Sequence, residues 1–366
     1  MTTGYTIVRT EAPAPVFDLT VITVCRNVLP ALKRTVASVL GQKAVFPHLR
    51  IEHVVVDGAS EDGTPAWIQE MKEVGKIETA VSEPDKGIYD AMNKGINLAR
   101  GAVILFLNAD DTFTHEDLAP CVMPIVRGEV QATAALALRY SHSEAMLFLQ
   151  DTASLYLNAP FCHQAFFVSA QLLRELGGFD SEHMLCSCDL ELMYQVIERC
   201  GLPRLFDTVV SNMPIGGFST HTADMFFDEH LELLYRHRRN IIRRCGGIEE
   251  YRVLVLSRLM QYSLEIDAWQ KHHRRIPEHI LQLREICHMM AVSLTDKKQQ
   301  RAANAAIAYL DTLIQDEKPS LWRALILLRH YRANGIPLNS PFRSFMLGSR
   351  PLLRKFLAAR KEKYPN

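Results

Sequence analysis

GAVILFLNADD (residues 101–111) joins an apolar run of strand length, Ala102 to Asn108, to two adjacent carboxylates, Asp110 and Asp111. A short run of this kind, bounded by turn residues, reads as a fully buried strand. Working back from it, the spacing predicts a helix from Gly87 to Ala99, a short strand KIETAVS (76–82), a helix from about Gly63 to Val74 and a strand IEHVVVDGAS (51–60) that breaks at Asp57-Gly58. Before these come a helix from Leu29 to Gly41, with Leu32, Val36, Val39 and Leu40 on one face and Gly41 as its stop, and the strand DLTVITVC (18–25). Strand and helix in alternation specify an α/β fold whose sheet is mostly parallel and flanked by helices. Ligands of such a sheet bind beyond the carboxyl ends of its strands. The polar residues expected there are Arg26 and Asn27, Asp57, and Asn108 to Asp111.

Working forward, apolar runs at 131–138, 163–169 and 205–210 flank helical segments near 170–176 and 188–200, which completes the same domain. Strand signals stop around Gly216-Gly217, and from about Asp224 the period is helical throughout. Three regions are expected: an N-terminal extension (1–16), an α/β domain (17–222) and a C-terminal all-helical domain (223–366). The chain has 366 residues, 48% hydrophobic and 22% charged, with a composition that suits a large buried core and excludes disordered, collagen-like and disulfide-scaffold classes. Lys plus Arg and Asp plus Glu both number 41, so no bulk charge points to nucleic acid. The distribution is uneven: residues 318–366 hold eleven Lys or Arg against Glu362 alone, which makes an acidic body with a basic tail. Eight scattered cysteines fit a reducing, cytoplasmic compartment, and no stretch reaches the roughly 18–20 apolar residues of a membrane span.

Two consecutive carboxylates leaving a buried strand repel one another unless a cation or donor network neutralises them. Hard oxygen ligands favour Mg²⁺ or Mn²⁺, with substrate phosphates completing the octahedron. An isolated NADD reads equally as an Asx turn and helix cap leading into THEDL. Asp57, with Ser60, Asp62 and Gly63, reads either as a site carboxylate or as a common Asp-Gly turn. SEPDKGIYDAMNKGI (82–96) sets Asp85 and Lys86 before a helix, with Asp90, Lys94 and Asn93 upon it. Asp90 and Lys94 at this spacing usually mark a solvated face. The Gly87 helix start and Lys86 would also serve a diphosphate.

The ordered run of VITVCRN (21–27), VVVDGASEDGT (54–64), SEPDKGIYDAMNKGI and GAVILFLNADD resembles the nucleotide-sugar domain of family-two inverting glycosyltransferases of the GT-A fold, above all the bacterial enzymes of cell-surface polysaccharide assembly. The resemblance continues through FCHQAFFVS (161–169), LGGFD (176–180) and IGGFS (215–219), and covers about residues 17–222. It implies that Asp57 binds the nucleotide base, that Thr23, Val24, Arg26 and Asn27 line the same pocket, and that Asp85 and Lys86, with Asn93 beside them, lie near the diphosphate and sugar. Asp110, with Asp111 beside it, takes the divalent-metal position, and Asn108 replaces the first acid of the family's DxD motif. His163 and Gln164 fall on the acceptor or diphosphate side. The family's base is the first acid after the Gly-Gly-Phe-Asp segment, a position that here is Ser187; Asp189 is expected to substitute, with Glu191 as the alternative. The implied activity is metal-dependent transfer from a nucleotide diphosphate sugar, UDP-linked, to a polysaccharide or lipid-linked oligosaccharide. Ser187 keeps open a catalytically silent nucleotide-sugar binding or scaffold protein. A nucleotidyltransferase would want a Gly-rich basic loop after the first strand, which VCRNVLP does not supply. In the tail, WRALILLRHYR (322–332) and FRSFMLGSRPLLRKFLAARKEK (342–363) interleave cations with apolar residues. They read either as a peripheral contact with the inner face of the plasma membrane or as a bundle packed on the acidic body.

Overall fold

The computed structural model describes residues 15–141, 145–148, 159–215 and 223–245. Contacts divide the chain into two units, Met1–Thr152 with Ala159–Ala223, and Ala153–Asn158 with Asp224–Asn366. The first unit opens with β1 (Phe17–Cys25), α1 (Leu29–Val45), β2 (Ile51–Asp57), α2 (Thr64–Glu73), β3 (Thr79–Ser82), α3 (Ile88–Leu98) and β4 (Gly101–Phe106), the alternation expected from the period of its apolar residues. It continues with β5 (Thr112–Phe113), α4 (Ala119–Val126), β6 (Ala132–Tyr140), β7 (Ala145–Phe148), a single 3₁₀ turn at His163–Ala165, β8 (Phe166–Ser169), α5 (Ala170–Leu176), α6 (Cys188–Cys200) and β9 (Arg204–Pro214). In the second unit, α7 (Ala223–Arg236) and α8 (Arg238–Cys245) are described. The helical expectation beyond residue 245, including the basic tail, lies outside the described residues, as does most of the extension 1–16. Among the described residues no helix is long and apolar enough to cross a membrane.

Two boundaries and one helix differ from expectation. Gly41 does not stop α1, although glycine costs a helix about 1 kcal/mol relative to alanine. The next residue, Gln42, is buried and its amide donates to the carbonyls of Thr114 and Glu116 at 2.8 and 3.0 Å, so tertiary contact overrides propensity. β3 begins at Thr79 rather than residue 76, because the amides of Lys76 and Ile77 fold back to the Met71 carbonyl and close α2. α4 has no counterpart in the expected elements; its Pro120 stands in the first turn, where no donor is lost.

The nine strands form one sheet in the order β3-β2-β1-β4-β8-β6-β9-β5, with β7 on β6. β1 pairs in parallel with β2 and β4, β2 with β3, and β6 with β9; β8 runs antiparallel between β4 and β6, and β5 and β7 are antiparallel to their neighbours. Six strands therefore point one way and three the other. One core gathers Leu19, Val21, Leu105, Phe167 and Val210 with α4; another gathers Leu32, Val36, Val55 and Ile68 beneath α1 and α2. Each such side chain contributes about 1.5–3 kcal/mol when fully buried. A Cβ on Gly95 would collide with the side chain of Ile22, so glycine there lets α3 lie close on β1.

Candidate active site

The carboxyl ends of β1, β2, β3 and β4 form one rim, and the expected polar residues lie along it. Cys25 is in register with Asp57, while the amide of Ala109 donates to the carbonyl of Val24. Asp57 and Asp110 thus flank the same end of β1, on the same side of the molecule. β8 runs antiparallel to β4, so His163 and Gln164, just before it, arrive at this rim too. Three non-glycine residues among those described have left-handed backbone: Asn27 (φ 54°), Ala59 (φ 56°) and Asp110 (φ 89°). They follow β1, β2 and β4 in turn, and each such conformation costs on the order of 1 kcal/mol or more.

Asp57 is fully enclosed. Its Oδ2 accepts from the Ser60 amide (3.0 Å) and the Ser82 hydroxyl (2.7 Å), and its Oδ1 accepts from the Ser60 hydroxyl and lies 3.6 Å from the Cys25 thiol. The same Ser60 hydroxyl accepts from the Asn27 amide (2.6 Å), and Asn27 Oδ1 accepts from the Glu61 amide (2.7 Å). The carboxylate is the hub that joins the ends of β1, β2 and β3. Burial, with Asp57 close by, pushes the Cys25 thiol well above its usual range. Thr23 and Val24 are buried in the sheet, and the Thr23 hydroxyl pairs with His53 Nε2 at 2.9 Å. Of the segment 23–27, Arg26 and Asn27 are therefore the exposed part.

Asp85 and Lys86 sit in the loop before α3. Asp85 Oδ1 accepts from the Gly87 amide (3.0 Å), and its carboxylate lies so close to Gly58 that a Cβ there would collide with it. Asp90 and Lys94 do not form a solvated face. Both are buried, and Lys94 Nζ donates to the Pro84 carbonyl (2.6 Å) and pairs with Glu83 (3.0 Å), while Asp90 accepts from the Lys86 amide (3.1 Å). Asn93 is also withdrawn from the rim. Its amide bonds the backbone of Phe179 in both directions at 2.9 Å, which fastens the Gly-Gly-Phe-Asp segment to α3.

In the segment Asn108–Asp111 that follows β4, Asp110 is the accessible carboxylate, and the Arg34 guanidinium of α1 holds its Oδ1. Asp111 is buried and accepts from Gln164 Nε2 at 3.0 Å, and Asn108 Oδ1 is buried with no hydrogen-bond partner among the described residues. Burial raises the Asp111 carboxyl to about 7, with the adjacent Asp110 charge adding to the rise and the Gln164 bond opposing it. A carboxyl raised on folding binds its proton preferentially in the native state, so its ionisation costs stability as pH climbs from its ordinary range near 4 to about 7. In metal-free buffer, the native chain should lose stability relative to Asp111→Asn over that interval and run parallel to it above, as read from urea unfolding midpoints. A pH-independent difference would contradict this.

His163 stacks on Phe106 (5.1 Å, 16°), and Phe179 and Tyr89 extend the aromatic group. Its Nε2 is enclosed without a partner among the described residues, and burial lowers its pKa, against the pull of the Asp189 charge. Asp189 stands in the first turn of α6, half-buried, its Oδ1 accepting from the Leu190 amide (2.9 Å) and lying 3.1 Å from the Tyr89 hydroxyl. Glu191 and Ser187 are both buried. Sequence reasoning passed over Arg34 and Tyr89. Arg34 looks like any helix cation, and Tyr89 meets partners 97 and 100 residues away, so local pattern carries no signal for either.

Residues 20–173 match the family model described as Glycosyl transferase family 2. The chain is 32% identical over 177 residues to an uncharacterized glycosyltransferase of Mycobacterium tuberculosis, a match of 47% of this chain and 64% of that protein. The chain thus spans less than two thirds of that relative's length. It is 27% identical over 229 residues to a PGL/p-HBAD biosynthesis glycosyltransferase of Mycobacterium bovis, across 61% of this chain and 86% of that one. Among solved structures, S. aureus TarS 1–349 in complex with UDP is similar in fold, with a TM-score of 0.52 at 13% identity over 86% of this chain and 91% of that chain.

Proposed function

From the premise that residues 20–173 are a glycosyl transferase family 2 domain on a GT-A sheet, we propose that this chain transfers a sugar from a nucleotide diphosphate donor, UDP-linked, to a hydroxyl of a polysaccharide or lipid-linked oligosaccharide. The observation that carries the reading is the shared rim: Asp57, Asp85, Asp110 with Asp111, and His163 with Gln164 converge on adjoining strand ends. The UDP held by the TarS structure supports a uridine donor.

In this reading Asp57 shapes the base pocket through Ser60 and Asn27, and Arg26 and Asn27 face the nucleotide. Asp85 and Lys86 border the diphosphate. Asp110 and Asp111 would hold Mg²⁺ or Mn²⁺. The fit rests on an all-oxygen donor set and on Asp111, a buried carboxyl short of neutralising charge. Among the described residues no three His, Cys, Asp or Glu side chains are grouped to hold a metal by themselves, so phosphate and water oxygens would complete its shell. When bound, the ion would neutralise charge on the departing diphosphate. Asp189 takes the proton from the acceptor hydroxyl, whose oxygen bonds to the anomeric carbon as the bond to the diphosphate breaks and its electron pair leaves with the nucleotide. Asp189 is preferred to Glu191 because it is the more exposed of the two. The acceptor and membrane contact through 322–332 and 342–363, on the cytoplasmic side, belong to the same proposal.

A second reading, a silent nucleotide-sugar scaffold, is favoured by the enclosed Ser187 at the family's base position. Incubation with UDP- and GDP-linked sugars and Mn²⁺, followed by assay of nucleoside diphosphate release, separates the two. Release that stops on chelation supports the enzyme; tight nucleotide binding with no release from any donor supports the scaffold.

A further inference from the structure

We infer that Tyr89 is a positioning residue that holds the Asp189 carboxylate for proton transfer and ties the donor side of the site to the acceptor side. The inference rests on the reading of Asp189 as the base. Tyr89 lies in the first turn of α3, two residues after Gly87, and its hydroxyl is 3.1 Å from both Asp189 Oδ1 and the Cys186 carbonyl. The ring is buried against Phe179 at 5.3 Å, and Phe179 is itself held by Asn93 of the same helix. Burial and the nearby Asp189 charge push the phenol well above its usual pKa, so it stays a donor.

Asp189 Oδ1 thus faces two donors, the Leu190 amide and the Tyr89 hydroxyl, whose one proton is shared with the Cys186 carbonyl, while Oδ2 has no hydrogen bond among the described residues. One oxygen is fixed and the other is left to take a proton. The loop before Tyr89 is equally constrained, since Lys86, Gly87 and Pro84 are all bonded to side chains of Asp85, Asp90 and Lys94. The phenol hydroxyl is therefore a direct bridge between the segment proposed to border the diphosphate and the helix that carries the proposed base.

A two-residue cycle tests this. Tyr89→Phe keeps the ring and removes only the donor; it should lower kcat for transfer about tenfold, since a small misplacement of a reacting group has a large effect on rate, with donor KM and UDP affinity within about twofold of native. In an Asp189→Asn background the same change should have no further effect. A merely structural tyrosine would move KM and binding along with kcat. Equal losses of kcat in both backgrounds, or a raised donor KM at unchanged kcat, would overturn the inference while leaving the base assignment intact. Full transfer activity in Asp189→Asn would remove the base reading and this inference with it.

Discussion

Asp189→Asn should lower sugar transfer about a thousandfold while leaving UDP affinity unchanged. General-base catalysis contributes about 10²–10⁴ in rate, and asparagine retains a carbonyl oxygen that can accept from Tyr89 and Leu190, so geometry is conserved and only proton affinity is lost. Glu191 cannot compensate without repacking α6, because it lies on the buried face of that helix. Initial rates with a saturating donor, set beside calorimetric titration with UDP, give the two quantities separately. A fall of less than about tenfold would transfer the base role to another group, and a loss of UDP binding would show that the residue supports the fold of the rim instead.

Asp57→Ala should be the most damaging change to the rim as a structure. It removes the acceptor of the Ser60 amide, the Ser60 hydroxyl and the Ser82 hydroxyl in an enclosed space. Hydrogen bonds to a charged group are worth about 1.5–3 kcal/mol each, and the stranded donors add their own desolvation cost. A net loss of about 3 kcal/mol is expected, which for a domain of about 200 residues lowers the unfolding temperature by about 10 °C. UDP affinity should fall by about a hundredfold, because the left-handed turns at Asn27 and Ala59 lose their common anchor. An unfolding temperature within about 2 °C of native would exclude the hub role.

The first half of the domain was legible because its strands are short, apolar and separated by amphipathic helices, and because the polar residues at their ends fall in a fixed order. Residues 57 and 110 could be set at one rim from that alternation alone, whereas Asp85 was placed beside them by the resemblance. What side chains do there was less legible. Thr23 turns inward to His53, and Asn93 spends both sides of its amide on a backbone 86 residues away. Asp90 and Lys94 have the spacing of a surface pair, yet the loop 83–86 closes over them. Such outcomes depend on which distant segment packs against a helix face, and periodicity reports only that a face is apolar. The two-residue β5 and the proline-bearing α4 carried too little pattern to be seen at all.

The reversed direction of β8 makes its entrance and the exit of β4 a single junction. Since the polypeptide enters that strand at the very edge where β4 leaves it, His163 lies against Phe106 and Gln164 against Asp111, so any change in these entering residues is felt at once by the outgoing turn.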